Sequence, residues 1–304
     1  MKFPLSKYIW FDGKLVPVNM AKVPVTTHAI HYGTSIFEGI RAYWNSNLYV
    51  FRLKDHVKRF RNSGKFYNIK LNFSDRQIEN AVIDLCKKNK IRKSCYIRPF
   101  YFVGQYGINF HVTQKAPTHT AIFAFPFGDL FNKSGITATI SKWRKFSDMS
   151  TPTQAKMGGN YLNSILATQD AKQRGFDEAI LLDQSGNVSE APGENIFLVK
   201  NNMLVTPSLS SSALDGITRR SIITLAKDMK LKIKTQKVSK KELKMADEIF
   251  LSGTAAEITP VIKIDKKKIG EGKVGNITKL FMDTYSNIVM NKSENYSHWL
   301  TAVY

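Results

Sequence analysis

Short β-rich segments joined by tight turns constrain the fold of this chain more than any other feature. Residues 8–18 are predicted to form a hairpin around Asp12-Gly13, a favoured two-residue turn. Two further β-rich stretches, 36–44 and 48–53, are separated by three polar residues. Hairpins pair strands antiparallel, whereas a regular βαβ chain joins parallel strands through helices. The pattern therefore predicts an α+β fold.

Helical patterns lie between these β-rich segments. A helix is predicted over 54–67, and a capping-box pattern at Ser74 and Gln77 opens a second one. Later helical patterns begin after Gly216 and at Asn276. Strands are predicted in the second half over 178–183, 194–200, 203–207, 231–238 and 247–253.

The length of 304 residues fits two domains better than one. We predict a smaller N-terminal α/β domain over residues 1–126, an interdomain linker over 127–134 and a larger C-terminal domain over 135–304. Neither half has the glycine-rich phosphate-binding motifs of dinucleotide-binding or P-loop proteins.

The formal net charge of +21 raises the question of a nucleic-acid partner. The basic residues are mostly lysines spread along the whole chain, in runs such as 87–93 and 263–268 that are typical of solvated helix ends and turns. We therefore expect no dedicated nucleic-acid partner. A basic nucleic-acid-binding protein with a degenerate enzyme fold remains the alternative from another class, and it predicts strongly salt-dependent binding.

Other sequence features argue against membrane association, disulfide bonds and metal binding. No apolar stretch reaches the length of a membrane span and the N-terminus has no secretory pattern, so we expect no membrane association and a cytoplasmic location. Cys86 and Cys95 are not in a C-x-x-C motif and are expected to be reduced thiols. His28 and His31 could face one metal ion, but without a third ligand pattern we expect packed histidines and no metal.

Several segments combine small, aromatic and charged residues as binding sites do, namely 28–43, 154–164, 189–197, 214–220 and 252–260. Lys156 lies among small residues and leads into a helical pattern, and Glu190 and Glu194 flank a Pro-Gly turn. Gly216 opens a helix whose first N–H groups could bind a phosphate. Each signal alone also fits a surface lysine, a structural carboxylate or a plain helix start.

These segments follow one another in an order that resembles the fold-type IV pyridoxal 5'-phosphate (PLP) enzymes, and most closely the branched-chain amino acid aminotransferases. The matching segments are HYGTSIFEGIRAY, YIRPFYFVG, AKMGGNYLNSILA, SEAPGENIF, SSALDGITRR and DEIFLSGTAAEITPV. The resemblance implies an α+β, two-domain fold whose larger C-terminal domain has a barrel-like β structure and binds the cofactor. It also implies amino transfer from L-leucine, L-isoleucine or L-valine to 2-oxoglutarate, in a homodimer or a higher homo-oligomer.

The resemblance further implies roles for individual residues. Lys156 looks like the catalytic Schiff-base lysine, and Glu190 like the partner of the pyridine nitrogen. The residues implied to bind the cofactor are Arg59, Lys156, Tyr161, Glu190, Leu214, Gly216, Ile217, Thr218 and Thr254. The residues implied to bind the substrate are Tyr32 (from a neighbouring subunit), Phe37, Gly39, Tyr96, Arg98, Phe127, Ala255 and Ala256.

Two enzymes of the same fold type remain as alternatives: a D-amino acid aminotransferase and an aminodeoxychorismate lyase. Both would use the same lysine and glutamate. The segments EGIRAY, YIRP and GTAAEITP resemble the branched-chain group rather than these two relatives.

Overall fold

The structure is a computed structural model that describes residues 6–304. Its strands are β1 Tyr8–Phe11, β2 Lys14–Pro17, β3 Ser35–Phe37, β4 Ile40–Asn45, β5 Asn47–Phe51, β6 Cys95–Val103, β7 Thr118–Pro126, β8 Ile136–Arg144, β9 Glu178–Leu182, β10 Asn195–Lys200, β11 Met203–Pro207, β12 Ile233–Gln236, β13 Glu248–Gly253, β14 Glu257–Ile264, β15 Lys267–Lys268 and β16 Leu300–Ala302. Its helices are α1 His28–Tyr32, α2 Leu53–Lys65, α3 Asp75–Lys88, α4 Tyr161–Gln173, α5 Ile217–Asp228, α6 Lys240–Lys244 and α7 Asn276–Val289.

The chain divides into two compact units. The first contains the residues up to Gly128, together with Ala155–Gly159 and Asn287–Tyr304. The second contains Asp129–Gln154 and Asn160–Ser286. The domain boundaries expected from the sequence stay a prediction.

The first unit is built on a sheet with the strand order β16-β5-β4-β6-β7-β1-β2, with β3 paired to β6. The predicted hairpin of β1 and β2 is confirmed, and its turn residues Asp12 and Gly13 have φ of 44° and 91°. The β4–β5 hairpin is likewise confirmed, and it turns at Ser46, whose φ is 60°. Antiparallel pairing throughout this sheet, together with its helices, confirms the predicted α+β class.

Two amphipathic helices of the first unit bury one face each. Helix α2 buries Val57 and Phe60, and α3 buries Ile78, Val82 and Leu85 in the same core. The capping box predicted at the start of α3 is confirmed, because the side chains of Ser74 and Gln77 each accept a hydrogen bond from the other's backbone N–H.

The second unit is built on a sheet with the strand order β12-β11-β10-β13-β14-β8-β9, with β15 paired to β14. The segment that follows β9 connects the two end strands of this sheet, β9 and β12, by backbone hydrogen bonds. The Val188 N–H donates to the Val238 carbonyl, just beyond β12, and the Ser189 N–H donates to the Leu181 carbonyl in β9. These bonds agree with the expected barrel-like β structure of the larger domain. Within residues 6–304, none of the helices combines the length and apolar character needed to cross a membrane.

Candidate active site

Lys156 lies in a short segment of the first unit that runs alongside β3. Its backbone N–H donates to Ser63 Oγ at 3.0 Å, and its carbonyl accepts from the Phe37 N–H at 3.1 Å. Its Nζ lies 4.8 Å from the centroid of the Phe37 ring. The backbone of Lys156 is therefore held on both sides, and the side chain that carries the amine starts from a fixed position.

The small residues around Lys156 allow this close approach. Met157 forms an antiparallel bridge with Ile36, and the Gly159 N–H donates to the Gly33 carbonyl at 3.2 Å. A Cβ atom at position 158 would lie 2.3 Å from Ser35 Oγ, so a larger residue than Gly158 would push the segment away from β3. Gly158 is therefore the glycine that this close approach to β3 favours, whereas a Cβ atom at position 159 would meet only the Gly33 carbonyl at 3.5 Å.

A buried group of charged residues, here called the carboxylate cluster, is formed by Glu38, His56 and Arg59. The Arg59 Nε and Nη2 atoms donate to the two Glu38 oxygens at 2.6 and 2.9 Å, and His56 Nδ1 lies 2.7 Å from Glu38 Oε2. Burial alone would raise the pKa of the Glu38 carboxyl, but Arg59 and His56 hold that pKa far below its usual value. Burial lowers the pKa of His56 despite the neighbouring carboxylate. The cluster thus pairs an ionised glutamate with an arginine and a neutral histidine.

Most of the residues expected to bind substrate lie together in the first unit. The Tyr96 ring is 5.4 Å from the Phe127 ring, and its hydroxyl accepts from Arg98 Nη2 at 3.1 Å. The Arg98 guanidinium lies 4.7 Å from the centroid of the Phe37 ring. A Cβ atom at position 39 would lie 1.8 Å from the Tyr96 hydroxyl, so only Gly39 leaves room for this arrangement.

Tyr32 lies apart from this group, in the short helix α1. Its ring centroid is 4.6 Å from that of His28 and 5.1 Å from that of Phe110. The ring nitrogens of His28 lie 2.8 Å from Thr34 Oγ1 and 3.1 Å from the Asn109 carbonyl. Both nitrogens are therefore in hydrogen bonds, and no group of three potential metal ligands occurs within residues 6–304.

In the second unit, Glu190 is a buried carboxylate with three donors. Lys145 Nζ lies 2.6 Å from its Oε1, and the Leu214 N–H and Asn195 Nδ2 donate to its Oε2 at 2.9 and 3.2 Å. The second glutamate of this segment, Glu194, has its Oε2 near the backbone and accepts from the Gly193 N–H at 3.1 Å.

Asn195 brings together the second-unit segments expected to bind the cofactor. Its Nδ2 also donates to the Leu214 carbonyl at 2.8 Å, and its backbone pairs with Ser252 at the end of β13. A Cβ atom at position 216 would lie 2.0 Å from Asn195 Oδ1, so this approach requires Gly216. As the N-cap of α5, Gly216 has no side chain to accept from the first N–H groups of the helix, which are those of Ile217 and Thr218.

The remaining expected residues also lie in the second unit. Thr254, Ala255 and Ala256 form the turn between β13 and β14, and the Ala256 carbonyl accepts from Thr259 Oγ1 at 2.8 Å. Tyr161 is the first residue of α4 and is half-buried.

These residues fit the chemistry of a phosphorylated aldehyde cofactor. Lys156 supplies an amine on a side chain whose backbone is fixed, Arg59 supplies a guanidinium, and Glu190 supplies a buried carboxylate. An uncapped N-terminus such as that of α5 is a favourable place for a phosphate, because its N–H groups and the helix dipole both attract anions. Arg98 Nε is buried and makes no hydrogen bond within the described residues, so it can take an acceptor from a ligand.

Five residues in these arrangements were not predicted from the sequence: Glu38, His56, Ser63, Lys145 and Asn195. A signal existed for two of them. His56, Arg59 and Ser63 are spaced by three and four residues, so they share one face of α2, and a polar group on a buried helix face could have been noticed. Glu38 and Lys145 gave no such signal, since their charged partners are distant in sequence. Asn195 bonds to Glu190, five positions away, but no rule of sequence spacing singles out that pair.

Each unit therefore supplies groups of the kind that hold an anionic cofactor: a lysine amine and a guanidinium in the first unit, and a buried carboxylate and an uncapped helix start in the second. Residues 35–264 match the family model described as amino-transferase class IV. The branched-chain-amino-acid aminotransferase of Escherichia coli (strain K12) is 42% identical over 98% of this chain and 98% of its own. The probable branched-chain-amino-acid aminotransferase of Aquifex aeolicus is 41% identical over 98% and 97%.

A solved structure agrees with these relatives. The branched-chain amino acid aminotransferase from Thermobaculum terrenum, in its PLP form, has a TM-score of 0.93 and 33% identity, covering 99% of this chain and 99% of that one. This chain therefore belongs to the class IV aminotransferase family.

Proposed function

We propose that this protein is a branched-chain-amino-acid aminotransferase that uses PLP as its cofactor. It transfers the amino group of L-leucine, L-isoleucine or L-valine to 2-oxoglutarate and gives the branched-chain 2-oxo acid and L-glutamate. The observation that carries the proposal is near-full-length identity of about two residues in five to enzymes with that name, combined with a lysine at position 156 whose backbone is held on both sides. The relative from Thermobaculum terrenum was solved in its PLP form.

Each cofactor-binding role remains a proposal. Lys156 carries the cofactor, Glu190 faces its ring nitrogen, Tyr161 bonds its 3'-oxygen, and Leu214 packs on the ring. Its phosphate binds Arg59 and the backbone or hydroxyl groups of Gly216, Ile217, Thr218 and Thr254. The geometry that supports these roles is the uncapped start of α5 and the bonds from Asn195 and Leu214 that orient Glu190.

The bound cofactor supplies an electron sink for the bonds at the substrate Cα. The reaction has two halves, and the first product leaves before the second substrate binds. In each half the incoming amine would displace Lys156 Nζ from the cofactor, and the freed Nζ would move the Cα proton. The backbone bonds of Lys156 would keep this amine in the same place through both steps.

The substrate pocket has to accept both an aliphatic chain and the side-chain carboxylate of glutamate. Phe37, Gly39 and Phe127 provide apolar surface, and burial of each CH₂ contributes roughly 0.8 kcal/mol to binding. Arg98 meets the glutamate carboxylate, which an apolar pocket would otherwise reject. When an aliphatic chain binds, Arg98 stays hydrogen-bonded to the Tyr96 hydroxyl. Tyr96 and the N–H groups of Ala255 and Ala256 bind the substrate α-carboxylate.

A homodimer is the proposed minimum assembly. Large apolar side chains of α1 and of the 104–110 loop are exposed, including Ile30 at 62%, Ile108 at 79% and Phe110 at 82%. Exposed apolar groups of this kind are typical of subunit interfaces. Tyr32, which lies against Phe110, then contributes to the neighbouring subunit's pocket. The cytoplasmic location stays a prediction.

A comparison of amino donors tests the function. With 2-oxoglutarate as acceptor, L-leucine should support glutamate formation and D-alanine should not. Equal or faster turnover of D-alanine would instead identify a D-amino acid aminotransferase. Pyruvate release from aminodeoxychorismate without an oxo-acid acceptor would identify the lyase.

A further inference from the structure

One face of α2 carries a set of largely buried polar groups, of which the proposed function uses only Arg59. His56, Arg59 and Ser63 are spaced so that their side chains point the same way from the helix. Ser63 accepts from the Lys156 N–H, and His56 and Arg59 both contact Glu38. The helix face therefore contacts the Lys156 backbone through Ser63 and the Glu38 carboxylate through His56 and Arg59.

Glu38 is the centre of that cluster and has no exposed surface. Its two oxygens receive two bonds from the side of the Arg59 guanidinium that carries Nε and Nη2. Its Oε2 also bonds to His56 and, at 3.3 Å, to the Gly39 N–H. Four donors thus fix one carboxylate, which is itself attached to the segment that positions Phe37 beside Lys156.

Stability alone does not explain such a pair. A buried ion pair contributes little to folding compared with apolar side chains of the same volume, because both charges lose their hydration. What a two-point contact does supply is a fixed orientation. An arginine side chain has many rotamers, and bonding through one edge of the guanidinium determines where its opposite edge, at Nη1, is directed.

We propose that Glu38 is a positioning residue for the cofactor phosphate, acting through Arg59. The carboxylate holds the guanidinium in one orientation before the cofactor arrives, and His56 holds the carboxylate. This inference rests on the proposed function, because the role of Arg59 toward the phosphate is part of that function. It adds that the buried face of α2 orients both the phosphate-binding arginine and the backbone of the reactive lysine.

The test compares two probes that differ only in the phosphate. PLP and pyridoxal are titrated against the apoprotein of the full chain, and binding is followed by the visible absorbance of the bound aldehyde. Glu38→Gln should weaken PLP binding roughly 10- to 100-fold, the loss expected when a hydrogen bond to a charged group is broken. Pyridoxal binding should stay unchanged, because pyridoxal has no phosphate for Arg59 to hold.

A double-mutant cycle shows whether Glu38 acts through Arg59. Arg59→Gln should weaken PLP binding by itself, and adding Glu38→Gln to that variant should cause no further loss. The exposed Glu271 offers a matched control, and Glu271→Gln should bind both probes as the unmodified protein does. A purely structural Glu38 would instead affect PLP and pyridoxal equally, and additive losses in the cycle would also overturn the proposal.

A second variant covers the case in which Glu38→Gln does not fold. Glu38→Asp keeps the negative charge but withdraws the carboxylate by one methylene group, so it should also weaken PLP and spare pyridoxal. Tighter PLP binding by either variant would show that Glu38 acts only by repelling the phosphate, and would contradict the positioning role. An unmodified protein that binds neither probe would contradict the proposed function itself, and this inference with it.

Discussion

Glu190 carries a buried negative charge, and Lys145 is the cation beside it. The two side chains are 7% and 14% exposed and lie 2.6 Å apart. A second lysine pair of almost the same length, Lys200 with Asp247 at 2.7 Å, has both side chains more than 40% exposed. The two pairs therefore separate the effect of burial from that of distance.

Lys145→Met should destabilise the apoprotein by about 2 kcal/mol, because it leaves the Glu190 charge buried without its cation. Lys200→Met should cost less than about 1 kcal/mol, because water replaces an exposed partner. Urea unfolding of the two variants measures the difference. Equal losses would show that Lys145 does not balance a buried charge.

His56 should make stability depend on pH in a defined direction. Burial, Arg59 and Lys156 lower its pKa in the folded protein, although Glu38 opposes the shift. Below the ordinary histidine pKa of about 6.5, the unfolded chain binds a proton that the folded protein does not, so stability should fall as the pH falls from 7. The slope from one such group is at most about 1.4 kcal/mol per pH unit.

His56→Gln should flatten the slope between pH 7 and 5, whereas His298→Gln, which removes an exposed histidine outside the proposed interface, should leave it unchanged. Unfolding free energies measured across this range provide the check. A variant slope equal to that of the unmodified protein would mean that His56 binds its proton equally in the folded and unfolded chains, contrary to the expected shift.

Site residues could be predicted from the sequence where they belong to a recognisable local motif. Gly39, Gly158 and Gly216 occur in quoted motifs, and in the structure each is a position where a Cβ atom would collide with a neighbour. Glu38 and Lys145 were not predicted, because each forms its ion pair with a residue 18 or more positions away. No local sequence rule specifies such a pair.

Secondary-structure elements with local signals were predicted well. The capping box at Ser74 and Gln77 defined the start of α3, and Gly216 and Asn276 marked the starts of α5 and α7. Strand β14 was missed. It contains Pro260, which usually argues against an inner strand, yet β14 lies between β13 and β8. Pairing with β8 begins only at Val261, so Pro260 need not donate to it.

The capping box of α3 gives a prediction for that element alone. Ser74→Ala should lower the free energy of unfolding by about 1 kcal/mol, because an N–H group at the helix start loses its acceptor. Ser74 is far from the proposed pocket in sequence and exposed, so turnover of L-leucine should not change. A variant that unfolds at the same urea concentration as the unmodified protein would show that the box contributes no stability.

At the scale of the whole molecule, the proposed dimer depends on contacts that no sequence pattern specifies. Sedimentation of the purified protein should give a species of at least two chains. Phe110→Asp, which places a charge in the exposed apolar patch, should shift the protein toward the monomer and lower turnover together. A fully active monomer would contradict the shared pocket.

Lys156 is the residue on which the proposed activity depends most, and borohydride reduction tests the role of its amine directly. Reduction of the protein with PLP bound should fix the cofactor to the peptide that contains Lys156, and Lys156→Ala should remove that label. Peptide mass mapping would contradict the account if the label appeared on another lysine, or if the unmodified protein carried none.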